Sequence, residues 1–271
     1  MTVQVRLLLA SALMLFTELL LIRWLGGNVL HLSYFSNIVL LGSFLGIGLG
    51  FLLARPQRRQ RSFFPALLAG LVVLAPLLPG GVDRAGSDLI YFTAVATSGF
   101  PPVLTLFLIF TAVAAVMVGP GLMVAECFHE LPRLEAYRLD LIGSLMGTLL
   151  FAVLSFLGAP PLVWSLLLAA AVLVLAPRPL ALTIGWLLVS VLAMSSSLLT
   201  GDIWSPYYRI QVSESLFSSA DGTTHPVVGI SANGVPHQAI VDLDVMLANP
   251  SPASSPYPWC RSVWPGGRSA G

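Results

Sequence analysis

Long apolar runs alternate with short polar breaks along the first two hundred residues. Their length decides the medium in which this part of the chain folds. A helix that crosses a bilayer needs about 20 predominantly apolar residues. Runs of that order cover residues 7–25, 36–54, 63–78, 103–125, 140–158, 162–176 and 180–199. The breaks are polar or rich in turn formers: the RPQRRQR segment at 55–61, a loop with Asp83, Arg84 and Asp88, the charged stretch from Glu126 to Arg138, and Pro177-Arg178-Pro179. Residues 90–100 are apolar but short and read as a re-entrant or interfacial piece, so the count is about seven spans, or eight if that piece crosses. Gly119-Pro120-Gly121 predicts a break near the end of the fourth run. Asp140 predicts the start of the fifth helix, because a carboxylate there satisfies orphan backbone N–H groups.

After Thr200 the period changes from helical to alternating. Tyr208, Ile210 and Val212 share one face of a predicted strand, and residues 227–232 and 235–241 read as two more. Asn233-Gly234 between them is the dipeptide favoured by a two-residue type I′ hairpin, in which both central residues need positive φ. Residues 218–222 read as a loop. Three short strands are marginal alone and need a cover for their apolar face. Residues 250–271 hold five Pro and five Ser without periodicity, which predicts a disordered tail. The abrupt change there looks like a reading frame left out of phase. The expected organisation is a polytopic transmembrane domain at 1–200, a small antiparallel β segment at 201–249 and a tail at 250–271. The fold class is thus mainly α, a helical membrane bundle followed by a little sheet.

Composition sharpens this reading. The 271 residues are 56% hydrophobic and 9% charged, and the mean hydropathy is +0.89. Soluble domains carry roughly 25% charged residues, so a chain this poor in charge cannot cover a water-facing surface. The lipid bilayer is therefore the expected partner. The net charge of +1 gives no footprint for nucleic acid. All thirteen basic residues are Arg. Basic loops stay on the cytoplasmic side. An inside N-terminus places Arg6, the four Arg of 55–61, Arg133, Arg138 and Arg178 inside, with Arg23 and Arg84 outside. The first run is read as an anchor, not a signal peptide, because it is long and no small-residue cleavage site follows it.

Candidate chemistry is sparse. Glu18 lies in the middle of the first span, where an ionised carboxylate costs about 2.5–3.5 kcal/mol or more. It is a candidate ion or proton site, weighed against a hydrogen bond between packed helices. Arg23, about 140° round the helix from it, is expected to snorkel to the interface. Gly42, Gly46 and Gly50 form one stripe at spacing four, and Gly143 and Gly147 form another. Both read as faces for close helix packing, which also allows other membrane helices or a homo-oligomer as partners. Glu126, Cys127, His129 and Glu130 crowd together, but Cys-x-His is a weak metal pattern, and a solvated loop is the expected reading. His31 and His225 read as polar loop residues. Cys127 and Cys260 make no disulfide framework. No Ser/His/Asp set, P-loop or dinucleotide fingerprint is found.

Three segments carry a family likeness. RLEAYRLDLIGSLMGTLLFAVLSFLGAPPLVW at 133–164 resembles the membrane signature of the bacterial membrane-fused spermidine synthases, the polyamine aminopropyltransferase family. WSPYYRIQV at 204–212 is similar to the first strand of that family's small β domain. ANGVPHQAIVDL at 232–243 looks like its hairpin strand with a recurring Gln. The resemblance covers residues 1–249. It implies a multi-pass protein of the bacterial inner membrane with a cytoplasmic N-terminus. For full-length relatives it implies aminopropyl transfer from decarboxylated S-adenosylmethionine to putrescine. Tyr208 stands where soluble members carry a nucleoside-contacting Gln, and Gln238 matches a second family Gln that lines the substrate pocket. The cofactor loop and catalytic Asp of the family have no counterpart, so the chain is expected to end before the Rossmann-type domain, to bind no cofactor and to be inactive in transfer. A small-solute or polyamine transporter, or a membrane scaffold, is the competing reading. Seven spans from an inside N-terminus put the β segment outside, whereas the aminopropyl donor is cytosolic.

Overall fold

A computed structural model describes residues 1–35, 37–54, 63–78, 101–175, 180–218 and 224–241. The Arg-rich segment at 55–61, Asp83, Arg84, Asp88, the 90–100 piece, Arg178, the loop at 219–223 and the tail with Cys260 lie outside the described residues. The fold is mainly helical with a small antiparallel sheet. Its helices are α1 (Val3–Asn28), α2 (Leu30–Tyr34), α3 (Asn37–Leu53), α4 (Phe64–Leu74, extended by a 3₁₀ turn at Ala75–Leu77), α5 (Pro102–Glu130), α6 (Arg133–Phe156), α7 (Pro161–Leu175) and α8 (Leu180–Leu199). Four of them, α1, α5, α6 and α8, are long and apolar enough to cross a membrane; α3, α4 and α7 are apolar but shorter.

The centre of the bundle is α1. Its most apolar window is 56% buried, against 17% for α6, and it packs on α3, α5, α6 and α7. Close approach comes from the two glycine stripes. A Cβ on Gly42 would lie 2.9 Å from the Phe110 carbonyl oxygen, and one on Gly50 would lie 2.7 Å from that of Val118. At Gly46 a Cβ would strike the Ala114 carbonyl, so α3 lies backbone to backbone on α5. On α6, Gly143 and Gly147 meet the carbonyls of Leu8 and Ala12 in α1 in the same way. Both pairs keep sequence order, so α3 runs parallel to α5 and α1 parallel to α6.

Three expectations at the polar breaks change. The stretch from Glu126 to Arg138 is not a loop: α5 runs on to Glu130, α6 begins at Arg133, and only Leu131 and Pro132 separate them. Asp140 is therefore not a helix start. It lies two turns inside α6, where its carboxylate accepts from Ser11 Oγ at 2.6 Å. Pro120 does not break α5. The helix continues because its neighbours hold it: a Cβ on the adjoining Gly121 would lie 2.8 Å from the Ile47 carbonyl oxygen of α3.

The sheet has four strands in the order β1 (Ile203–Trp204), β2 (Arg209–Ser218), β3 (Thr224–Ala232) and β4 (Val235–Val241), all antiparallel. The two-residue β1 is one strand more than the alternation predicts. Asn233 and Gly234 have φ of 51° and 77°, as a type I′ hairpin requires. His225 falls in β3 and not in a loop.

Polar contacts mark two ends of the bundle. At the N-terminal end Arg6 pairs with Glu126 at 2.8 Å and Glu130 at 4.0 Å, and Gln4 donates to Glu135 at 2.6 Å. This ties the start of α1 to the end of α5 and the start of α6. The sheet sits at the other end, against the last turns of α1.

Candidate functional site

The site is the joint where the sheet meets α1, and it begins with how the chain leaves α8. Gly201 takes a φ of 68°, the left-handed position that commonly ends a helix. The turn delivers Ile203-Trp204 as β1, paired with Ile210 and Arg209. Ser205 closes the loop back to β2: its N–H donates to the Tyr208 carbonyl and its Oγ accepts from the Tyr208 N–H, each at 3.0 Å.

Trp204 enters the bundle through a gap left by glycine. Its ring would come within 3.0 Å of a Cβ on Gly27. Inside, it stacks on Trp24 (centroids 6.0 Å, planes 11° apart) and meets Trp164 edge-on (5.2 Å, 82°). Trp164 leans on Phe151 at 5.3 Å, and Phe151 meets Phe16 at 5.4 Å. The row of rings runs from the sheet down to the middle of α1. Each such pair contributes about 0.5–1.5 kcal/mol beyond its buried area. Ser155 Oγ adds a bond to the Pro206 carbonyl at 3.1 Å.

Two arginines lie in this joint. The Arg23 guanidinium sits 5.8 Å from the Trp164 ring centroid and 5.7 Å from that of Trp204, and its Nη2 donates to the Ser205 carbonyl. It does not snorkel out, because the aromatic faces and the turn hold it. Arg209 reaches back from β2 to the end of α1. It donates to the Gly27 carbonyl at 3.2 Å and Asn28 Oδ1 at 2.7 Å, and its Nη2 lies 2.6 Å from Asp202 Oδ2. A cation at a helix C-terminus satisfies carbonyls that have no intrahelical partner.

The residues singled out in the sequence are spread widely. Glu18 is 3% exposed inside α1, and its Oε1 has no hydrogen-bond partner among the described residues. Gly42, Gly46 and Gly50 line the α3–α5 contact, and Gly143 and Gly147 line the α1–α6 contact. Tyr208 is exposed in the β1–β2 turn, and Gln238 is exposed on β4 opposite Ile230. Cys127 is fully buried, and no group of three His, Cys, Asp or Glu is arranged for a metal among the described residues. His31 lies in α2, buried, with Nε2 unpartnered. The joint itself went unmarked in the sequence, although the excess of Trp at membrane interfaces offered a signal at Trp24, Trp164 and Trp204. Compared with family models, curated proteins and solved structures, the chain matches none of them.

Proposed function

We propose that the chain is a membrane anchor that holds a β segment rigidly against one end of its helical bundle, as the membrane half of a spermidine synthase-like protein would. The observation that supports this reading is the joint. The segment at 133–164 ends on Trp164, and the segment at 204–212 begins on Trp204, and the two rings are 5.2 Å apart. The two stretches that carry the likeness therefore pack on each other. The helices also alternate in direction: α1, α4, α6 and α8 run toward the sheet, while α3, α5 and α7 run away from it, as the pairings Trp24–Val72, Gly143–Leu8 and Phe151–Trp164 require. This order supports seven crossings, with the sheet on the side opposite the N-terminus. On this reading the chain positions a β segment and transfers no aminopropyl group itself.

The test is direct. The chain, reconstituted in nanodiscs and given putrescine with decarboxylated S-adenosylmethionine, is expected to form no spermidine; spermidine formation would refute the anchor reading. A second reading, a polyamine or small-solute transporter, rests on Glu18, a carboxyl buried inside α1 with an oxygen unpartnered among the described residues. Proteoliposome flux of labelled putrescine that disappears in Glu18→Gln would favour it over the anchor.

A further inference from the structure

The joint beneath the sheet holds buried N–H donors without acceptors among the described residues. Trp164 Nε1, Trp204 Nε1 and Arg23 Nε are all buried, and all three lack a hydrogen-bond partner there. They belong to one cluster. The two indoles touch each other, and both lie under 6 Å from the same guanidinium. Trp164 is 0% and Trp204 5% exposed, so both indoles lie largely away from bulk solvent. The charge is equally one-sided. Among the described residues no carboxylate forms an ion pair with Arg23. Among the described residues, Asp202, two positions before Trp204, is engaged by Arg209 at 2.6 Å. Natural proteins leave few buried donors without a partner, and a buried cation without a counter-ion is costlier still. Among the described residues, three unpartnered donors and a guanidinium without an ion pair stand in one place, a set that suits an anionic oxygen.

Depth narrows the ligand. Arg23 precedes the end of α1 at Asn28 by five residues, about 7–8 Å of helix rise. That places it near the boundary between hydrocarbon and headgroups, where the interfacial layer is about 5–7 Å thick on each side. Arg is the side chain best matched to phosphate oxygens. We propose that Arg23, Trp164 and Trp204 bind a phosphate oxyanion in the joint, carried by a lipid headgroup or free in solution. The bound oxygen accepts from the two indole N–H groups and neutralises the guanidinium, and so stiffens the contact between bundle and sheet. This rests on the docked joint of the anchor reading. Hydrogen exchange in the strands reports docking and ligand binding is read separately, so the two can fail independently.

The experiment uses the whole chain purified in detergent, with phosphatidylglycerol and inorganic phosphate as separate probes, the latter against chloride at equal ionic strength. Melting temperature and native mass spectrometry read binding. Wild type is expected to be stabilised by at least one probe. A response to inorganic phosphate assigns a free anion, and a response to phosphatidylglycerol alone assigns a lipid. Trp164→Phe with Trp204→Phe keeps the ring packing and removes both donors, and Arg23→Gln removes the charge. The double Trp variant is expected to weaken the apparent affinity at least threefold, and it decides the matter if Arg23→Gln does not fold. No response to either probe, or a weakening of less than threefold in the double variant, would overturn the proposal.

Discussion

Arg209 and Asn28 are 181 positions apart in sequence and 2.7 Å apart in space, joined by a bond from Nη1 to Oδ1. The same guanidinium holds Asp202, whose side chain is 2% exposed. Removing it leaves a buried carboxylate without its cation, a change that costs about 3–5 kcal/mol. Arg209→Ala is therefore expected to release the sheet from α1. Deuterium exchange over residues 203–214 in nanodiscs should accelerate by two orders of magnitude or more. Arg209→Lys should recover only part of the protection, since an ammonium cannot span the Gly27, Asn28 and Asp202 acceptors as the planar fork does. Unchanged exchange in Arg209→Ala would show that the strands dock by other means.

The helix glycines divide by what each one faces. A methyl group on Gly147 would meet the Ala12 backbone, which cannot swing aside, whereas one on Gly48 meets nothing within 4 Å. Gly147→Ala should destabilise the bundle by about 1–3 kcal/mol. Gly48→Ala should be neutral or stabilising by up to about 1 kcal/mol, as helix propensity alone dictates. Thermal melts of the two variants in the same detergent compare them directly.

Sidedness follows from α1. Its first residues lie at the Arg6–Glu126 end, and Tyr207, 72% exposed, lies at the sheet end. In a Cys260→Ser background, Tyr207→Cys is expected to react with an impermeant maleimide in intact cells. Thr2→Cys should react only after permeabilisation. Cys127, fully buried in α5, should stay unlabelled in both. Labelling of both new sites from one side would remove the alternating arrangement of helices.

Glu18 offers a test of its own. Among the described residues its Oε1 lacks a donor, so an apolar side chain of similar size should be tolerated: Glu18→Met is expected to melt no lower than wild type. A clear loss of stability would reveal a partner that the folded bundle conceals.

The helical bundle was readable in the sequence because lipid burial demands long apolar runs, and the hairpin because positive φ at two adjacent positions demands Asn-Gly. Helix ends were read less well. Glu126–Glu130 and Arg133–Arg138 look like a loop by charge, yet both are helical, and Arg6 and Gln4 on α1 supply partners to Glu126 and Glu135. Pro120 looks like a break, yet α3 braces the helix on its flank. The joint could not be read at all. Trp24, Trp164 and Trp204 are far apart in sequence, and no local period links residues brought together only when the chain returns to its first helix. Arg23, read alone on a helical wheel, points to the interface; only Trp164 and Trp204 explain why it stays in.

The helices are of unequal length. The 29 residues of α5 rise about 43 Å and the 15 of α7 about 22 Å. The shorter α4 and α7 both pack on α8, and the longer α6 lies on α1. Hydrocarbon about 30 Å deep exceeds the rise of the described α7 and falls short of that of α5. In a bilayer, an excess such as that of α5 is met by tilt, and a shortfall such as that of α7 by local thinning or by flanking residues that snorkel.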